Sequence, residues 1–182
     1  MSYPHRIVAA TPADYPTIQQ IAHLTWPDTF AGILEPAQIA YMLHHMYRTE
    51  ALEAQVAAGH VFYLLLEPQT EAAAPDYPPA TGTAYAAVGY VSYQLDYLPG
   101  TAKIHKLYVL PSTQGKGYGK ALIEHVATIA TAAGQGALRL DVNYQNRAIN
   151  FYEHLGFQKI DRFDTDIGNG YRMEDWRMER PL

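Results

Sequence analysis

Cysteine is absent from the 182 residues, which excludes disulfides, thiolate nucleophiles and zinc–thiolate sites. Long apolar runs are missing as well: none approaches the ~18 residues of a membrane span. The opening Met1-Ser-Tyr-Pro-His-Arg6 has no signal-peptide core. No membrane partner is expected, and a cytoplasmic location is the default. Positive charge is scarce, with 13 Lys+Arg against 18 Asp+Glu and a net charge of −5. No basic stripe forms, so nucleic acid is not an expected partner. A charge this small mainly serves solubility, and it favours a cationic ligand where it favours anything. No internal repeat is present.

What the chain has is a hydrophobic fraction of 48% and a charged fraction of 17%, the balance of a soluble globular protein. Its length suits one domain, 1–182, with a core of its own. Arg6–Ala10 is an apolar run that predicts a first strand. Thr11-Pro12-Ala13-Asp14 carries helix-start signals: a hydroxyl N-cap, a proline at the first position and an acid three residues on. Asp14 is an alternative N-cap. Trp26-Pro27 is expected to end that helix, leaving Trp26 and Phe30 at the edge of a loop that runs to Leu34. A second helix starts near Pro36, where Ile39, Met42, Leu43, Met46 and Tyr47 form one stripe. A third runs from Thr49 to Gly59. Adjacent His44 and His45 point about 100° apart on a helix and are expected at the surface. Strands are expected over 61–67, 83–94, 102–110, 137–142, 157–163 and 172–180, with a proline-rich loop over 68–82. Helices are expected up to Gly134 and over 146–155, and Asn169-Gly170 is a hairpin signal.

The centre of the chain is Leu107–Leu122. A β-branched apolar run ends at Pro111, a polar turn follows, and Gly115, Gly117 and Gly119 open an amphipathic helix. Glycine lets backbone approach a ligand closely, and the first N–H groups of a helix lack intrahelical partners. With the helix dipole they make a site for phosphate oxygens. A P-loop is excluded, because Gly117 follows Gly115-Lys116 and Leu110 stands where its first glycine belongs. A dinucleotide fingerprint fails at Lys120. What remains is Gln114-x-x-Gly117-x-Gly119.

Further on comes Leu140-Asp-Val-Asn-Tyr-Gln-Asn146-Arg-Ala148-Ile149, followed by Tyr152-x-x-x-Gly156-Phe157. Together the two motifs resemble those of the GCN5-related N-acetyltransferase superfamily. The first is similar to its pyrophosphate turn, Gln/Arg-x-x-Gly-x-Gly/Ala, and the second to its asparagine, Ala-Ile and Tyr-x-x-x-Gly-Phe signature. The resemblance implies an α/β fold: a mixed, mostly antiparallel sheet of six to seven strands, four to five helices, and a V-shaped splay between the two central strands. It implies acetyl-CoA as cosubstrate and a small-molecule amine as acceptor. The tail 166–178 resembles a bacterial branch compared with polyamine acetyltransferases, which points to a polyamine-like amine. A protein lysine or N-terminal amine, and an acyl-CoA sensor without turnover, are the alternatives. Oligomeric state is not legible, and a homodimer is left open.

The resemblance also implies roles. Backbone of Leu107, Tyr108 and Val109 would hold the pantetheine arm and polarise the thioester carbonyl. Gln114, Gly115, Lys116, Gly117, Tyr118, Gly119 and Lys120 would surround the pyrophosphate. Either Asn146 or Gln145, which holds the superfamily's usual asparagine position, would contact the cofactor. Tyr152 would stand beside the departing sulfur as acid and cofactor contact. His105, Asp141 or a water chain would accept the amine's proton; alternation places His105 on one face with Lys103 and Leu107. Trp26 and Phe30 would border the acceptor. No metal is expected.

Overall fold

The computed structural model describes residues 5–69 and 85–182. Most of the loop expected over 68–82, and the start of the strand expected at Thr83, lie outside them. Seven strands form one sheet: β1 (Arg6–Ala9), β2 (Val61–Pro68), β3 (Tyr85–Leu98), β4 (Thr101–Val109), β5 (Ala137–Asn143), β6 (Gln158–Gly168) and β7 (Tyr171–Pro181). Their spatial order is β1-β2-β3-β4-β5-β7-β6. Every neighbouring pair is antiparallel except β4 and β5. Five α-helices accompany the sheet: α1 (Tyr15–Thr29), α2 (Pro36–Tyr47), α3 (Thr49–Ala57), α4 (Tyr118–Ala132) and α5 (Ala148–His154).

Alternation along β3 assigns the helices to faces. Tyr90 meets Tyr47 of α2, and their hydroxyls are 2.6 Å apart. Tyr93, an odd number of residues away, stacks on Tyr63, which meets His125 of α4. The core therefore lies on both sides of β2–β4, with α1 and α2 on one side and α4 on the other.

The parallel ladder between β4 and β5 is short. It runs from Thr101↔Ala137 to Ile104↔Leu140 and then stops. β4 continues to Val109 and β5 to Asn143 without pairing. The two strands part, and the β5-facing backbone groups of β4 beyond Ile104 have no ladder partner. That is the expected splay. Two irregularities shape its wall. β3 slips register against β2 between Leu65 and Leu66, next to Gly89, where a side chain would bring a Cβ within 2.9 Å of the Tyr108 carbonyl oxygen. Glycine there allows β3 to close on β4.

The second irregularity falls on β4, where Ser92 pairs Lys106 but Tyr93 pairs Ile104, leaving His105 as an extra residue. This bulge breaks the alternation expected along β4. Lys103 pairs Gln94 and Leu107 pairs Val91; those partners are three residues apart, so Lys103 and Leu107 face opposite ways. The shared face expected for the three residues does not form.

Thr11 and Asp14 form a capping box, with Asp14 Oδ2 accepting from the Thr11 N–H at 2.8 Å, before α1 begins at Tyr15. Trp26-Pro27 does not end α1. Pro27 lies in its last turn, where only one ladder bond is lost, and Phe30 N–H donates to Trp26 O at 3.0 Å. Trp26 is thus a helical residue and Phe30 the C-cap. The Asn169-Gly170 turn has positive φ at both residues, 55° and 78°, and joins β6 to β7 as expected.

Candidate active site

Two clefts meet where β4 and β5 part. The larger, about 970 Å³, is lined by the 113–120 turn, by Gln145–Ala148 and by Phe151. The smaller, about 340 Å³, lies between the splayed strands under α1, α2 and the β6–β7 hairpin. Leu107, Val109, Asn146, Ala148 and Tyr152 line both. Tyr152 is buried, and desolvation pushes its phenol up to about 12.

The turn is built as its glycines suggest. Gly117 precedes α4 with φ of +79°, a conformation that L side chains rarely adopt, and a Cβ there would meet open space. The opening N–H groups of α4 thereby face a cleft rather than packed protein. Gln114, Gly115, Gly117, Tyr118, Gly119 and Lys120 all line the larger cleft. Lys116 instead pairs with the Glu67 carboxylate, which also accepts from the Tyr118 hydroxyl at 2.7 Å; burial and that carboxylate raise the Tyr118 phenol to about 12. Glu67 stands far off in sequence, and no local signal points to it.

Asn146 and Gln145 part company here. Asn146 lines both clefts and its Oδ1 accepts from the Ala148 N–H at 2.9 Å in an Asx turn that leads into α5; Gln145 lines only the larger cleft. Arg147 and Phe151 complete that wall without having been expected.

In the smaller cleft, Asp141 is tied on both oxygens. Lys103 Nζ donates to Oδ2 at 2.6 Å and Arg177 Nε to Oδ1 at 3.2 Å. His105 lines the same cleft, stacks on His60 with ring centroids 3.8 Å apart, and donates from Nε2 to Gln94 Oε1 across 3.2 Å. Burial, the neighbouring imidazole, Lys103 and Lys106 press its pKa down to about 2; burial and the same lysines hold His60 near 4. His60 is thus a part-buried partner of His105. Trp26 is buried against Phe30, Tyr47 and Tyr108 and reaches the cleft by one edge; Phe30 lines it too.

Asp175 of β7 was not foreseen. It lines the smaller cleft, its Oδ1 is buried without a hydrogen-bond partner among the described residues, and no ion pair engages it there. Desolvation foremost, then the Asp141 charge, raises its carboxyl to about 6. The available signal was the alternation Met173, Asp175, Arg177, which puts the acid on the face that Met173 presents to the cleft.

Residues 20–157 match the Acetyltransferase (GNAT) family. The chain belongs to that family. Among curated proteins, the uncharacterized N-acetyltransferase CgeE of Bacillus subtilis (strain 168) is 37% identical over 71 residues, 39% of this chain and 27% of that protein. Thialysine N-epsilon-acetyltransferase of Mus musculus is 33% identical over 88 residues, 45% of this GNAT chain and 52% of the mouse enzyme. This chain's matches therefore span about a quarter to a half of those relatives. Among solved structures, PaiA N-acetyltransferase from Thermoplasma acidophilum in complex with coenzyme A superposes with a TM-score of 0.75 at 22% identity, over 99% of this chain and 100% of that one. The GNAT fold carries no helix, among the described residues, long and apolar enough to cross a membrane.

Proposed function

We propose that the chain, as one acetyltransferase domain over 1–182, transfers the acetyl group of acetyl-CoA to a primary amine of a small-molecule acceptor. The observation that carries this reading is the junction of a phosphate-suited cleft and a smaller cleft at Tyr152, across the gap where β4 leaves β5. Acetyl-CoA supplies an acyl group already activated as a thioester. The chain's part is to hold it and to move protons. Amides of 115–120 grip the diphosphate, as the positive φ of Gly117 and the open space beside it allow. The β5-facing backbone groups of β4 between Leu107 and Val109 fix the pantetheine arm and present donors where negative charge develops on the carbonyl oxygen. Tyr152, its phenol raised to about 12 by burial and so protonated at neutral pH, gives its proton to the departing sulfur. Trp26 and Phe30 wall the acceptor.

A small acceptor is favoured by the size of the smaller cleft and by the bonds between the elements beside it. The Tyr41 hydroxyl of α2 donates to Ile167 O at 2.7 Å, and Gln38 Nε2 to Arg172 O at 2.8 Å. These bonds tie α2 to the β6–β7 hairpin over a space of about 340 Å³, at the small end of ligand pockets. A protein segment would have to displace them. The test is calorimetry with coenzyme A, then thiol release from acetyl-CoA over a panel of polyamines, alkylamines, arylalkylamines and lysine peptides. Coenzyme A binding with amine-dependent thiol release is expected; a chain that binds no coenzyme A contradicts the reading.

A further inference from the structure

The carboxylates of the acceptor cleft are compensated within the protein, with one exception. Asp141 is held by Lys103 and Arg177. Lys106 is buried and donates to Gln55 Oε1 at 2.6 Å. Asp175 alone among the cleft's carboxylates has no donor among the described residues; it is part-buried, and its buried Oδ1 is costly to leave unmatched unless a ligand supplies the partner. Met42, Met46, Phe163, Ile167 and Met173 line the rest of the space.

We propose that Asp175 docks the acceptor's ammonium and takes its proton, and that the acceptor carries this single charge on an apolar body. The proposal rests on the acetyltransferase reading and adds to it the proton acceptor and the acceptor class. The other two candidates do not take the proton: His105 is a far weaker base, and Asp141, spent on two cations, acts on Asp175 only through its charge. The other groups acting on Asp175 are Lys103 and Tyr108 from β4, Asp141 from β5, and Arg162 and Asp164 from β6. The two acids raise its carboxyl and the two cations lower it, so burial and the acids prevail. A second cation, as on a polyamine, would lie among methionines or against Lys103 and Lys106, without a counter-charge.

The step balances as follows. The ammonium gives one proton to Asp175. The freed lone pair forms the C–N bond, and the C–S bond breaks with its electron pair going to sulfur. Tyr152 protonates that thiolate and recovers a proton from the nitrogen, which has then lost two. Asp175 releases its proton to water, so one proton reaches solvent for each amide and thiol formed.

The experiment uses the full chain, with Asp175→Asn and Asp175→Glu. n-Hexylamine, 2-phenylethylamine and spermidine are acceptors, thiol release is followed over pH, and coenzyme A binding is measured by calorimetry. With hexylamine, kcat/KM of the wild type should rise to a plateau above pH 6 and hold it until the amine's own pKa near ~10. Asp175→Asn should bind coenzyme A as the wild type does and lose roughly 10²-fold in kcat/KM. Its profile should climb without the plateau, and Asp175→Glu should restore part of the rate. A plateau retained in Asp175→Asn, or spermidine preferred to both monoamines, overturns the proposal. So does a wild type that binds coenzyme A but acetylates no amine, a result that spares the cofactor reading. Absence of coenzyme A binding in the wild type removes both.

Discussion

Tyr152, His105 and Asp175 divide the proton chemistry according to their surroundings. Burial keeps the Tyr152 phenol loaded at every pH the enzyme can meet, since its pKa lies near 12. Such a group is a poor free acid, but one placed beside a thiolate needs only to hold its proton until the sulfur leaves. Tyr152→Phe removes the proton and little else, because the ring keeps its edge-on contact with Phe157. The expected result is a kcat lower by roughly 10²-fold with coenzyme A affinity unchanged, measured by steady-state kinetics and calorimetry. Equal turnover by the variant would remove Tyr152 from the chemistry. Tyr152 was legible in sequence because its motif is local. Asp175 was not, since its importance arises only when β7 inserts between β5 and β6, a pairing that no nearby residue announces.

The bulge of β4 and the α3–β2 connection form one device. His105, pushed out of register, stacks on His60, the residue that leads from α3 into β2. Both imidazoles are held neutral, with folded-state pKa values near 2 and 4 against about 6.5 when unfolded. The native state therefore binds fewer protons than the unfolded chain below pH 6.5. The stability they contribute is complete above that pH and declines as pH falls through it toward 4. Thermal unfolding should show Tm lower by at least ~3 °C at pH 5 than at pH 7, and His105→Phe, which keeps a ring on His60, should flatten that loss. An unchanged slope in the variant would show that the pair is not what titrates. Strand–turn–helix around Pro111–Gly119 was legible because proline, glycine and apolar periodicity are local signals. The bulge was not, because register is decided between strands. Nor was the passage of α1 through Pro27, where packing of Trp26 outweighs one lost backbone bond.

At the scale of the molecule, the sheet is continuous except where β4 and β5 diverge after Ile104 and Leu140. Strand count, helix count and splay were implied by the resemblance that the two motifs carry, each motif marking a strand end and a helix start on either side of the gap; the strand order was not. The tie between α2 and the β6–β7 hairpin beside the acceptor cleft could not be anticipated, because its bonds span most of the chain. Everything proposed for the tyrosine and the aspartate depends on the thioester arm entering that divergence. The most direct measurement is a crystal structure with coenzyme A bound. The expected outcome is diphosphate oxygens within about 3.2 Å of amide nitrogens between residues 115 and 120, with the sulfur beside the Tyr152 hydroxyl. A nucleotide bound elsewhere, or a β4–β5 ladder closed beyond Ile104, would contradict the account.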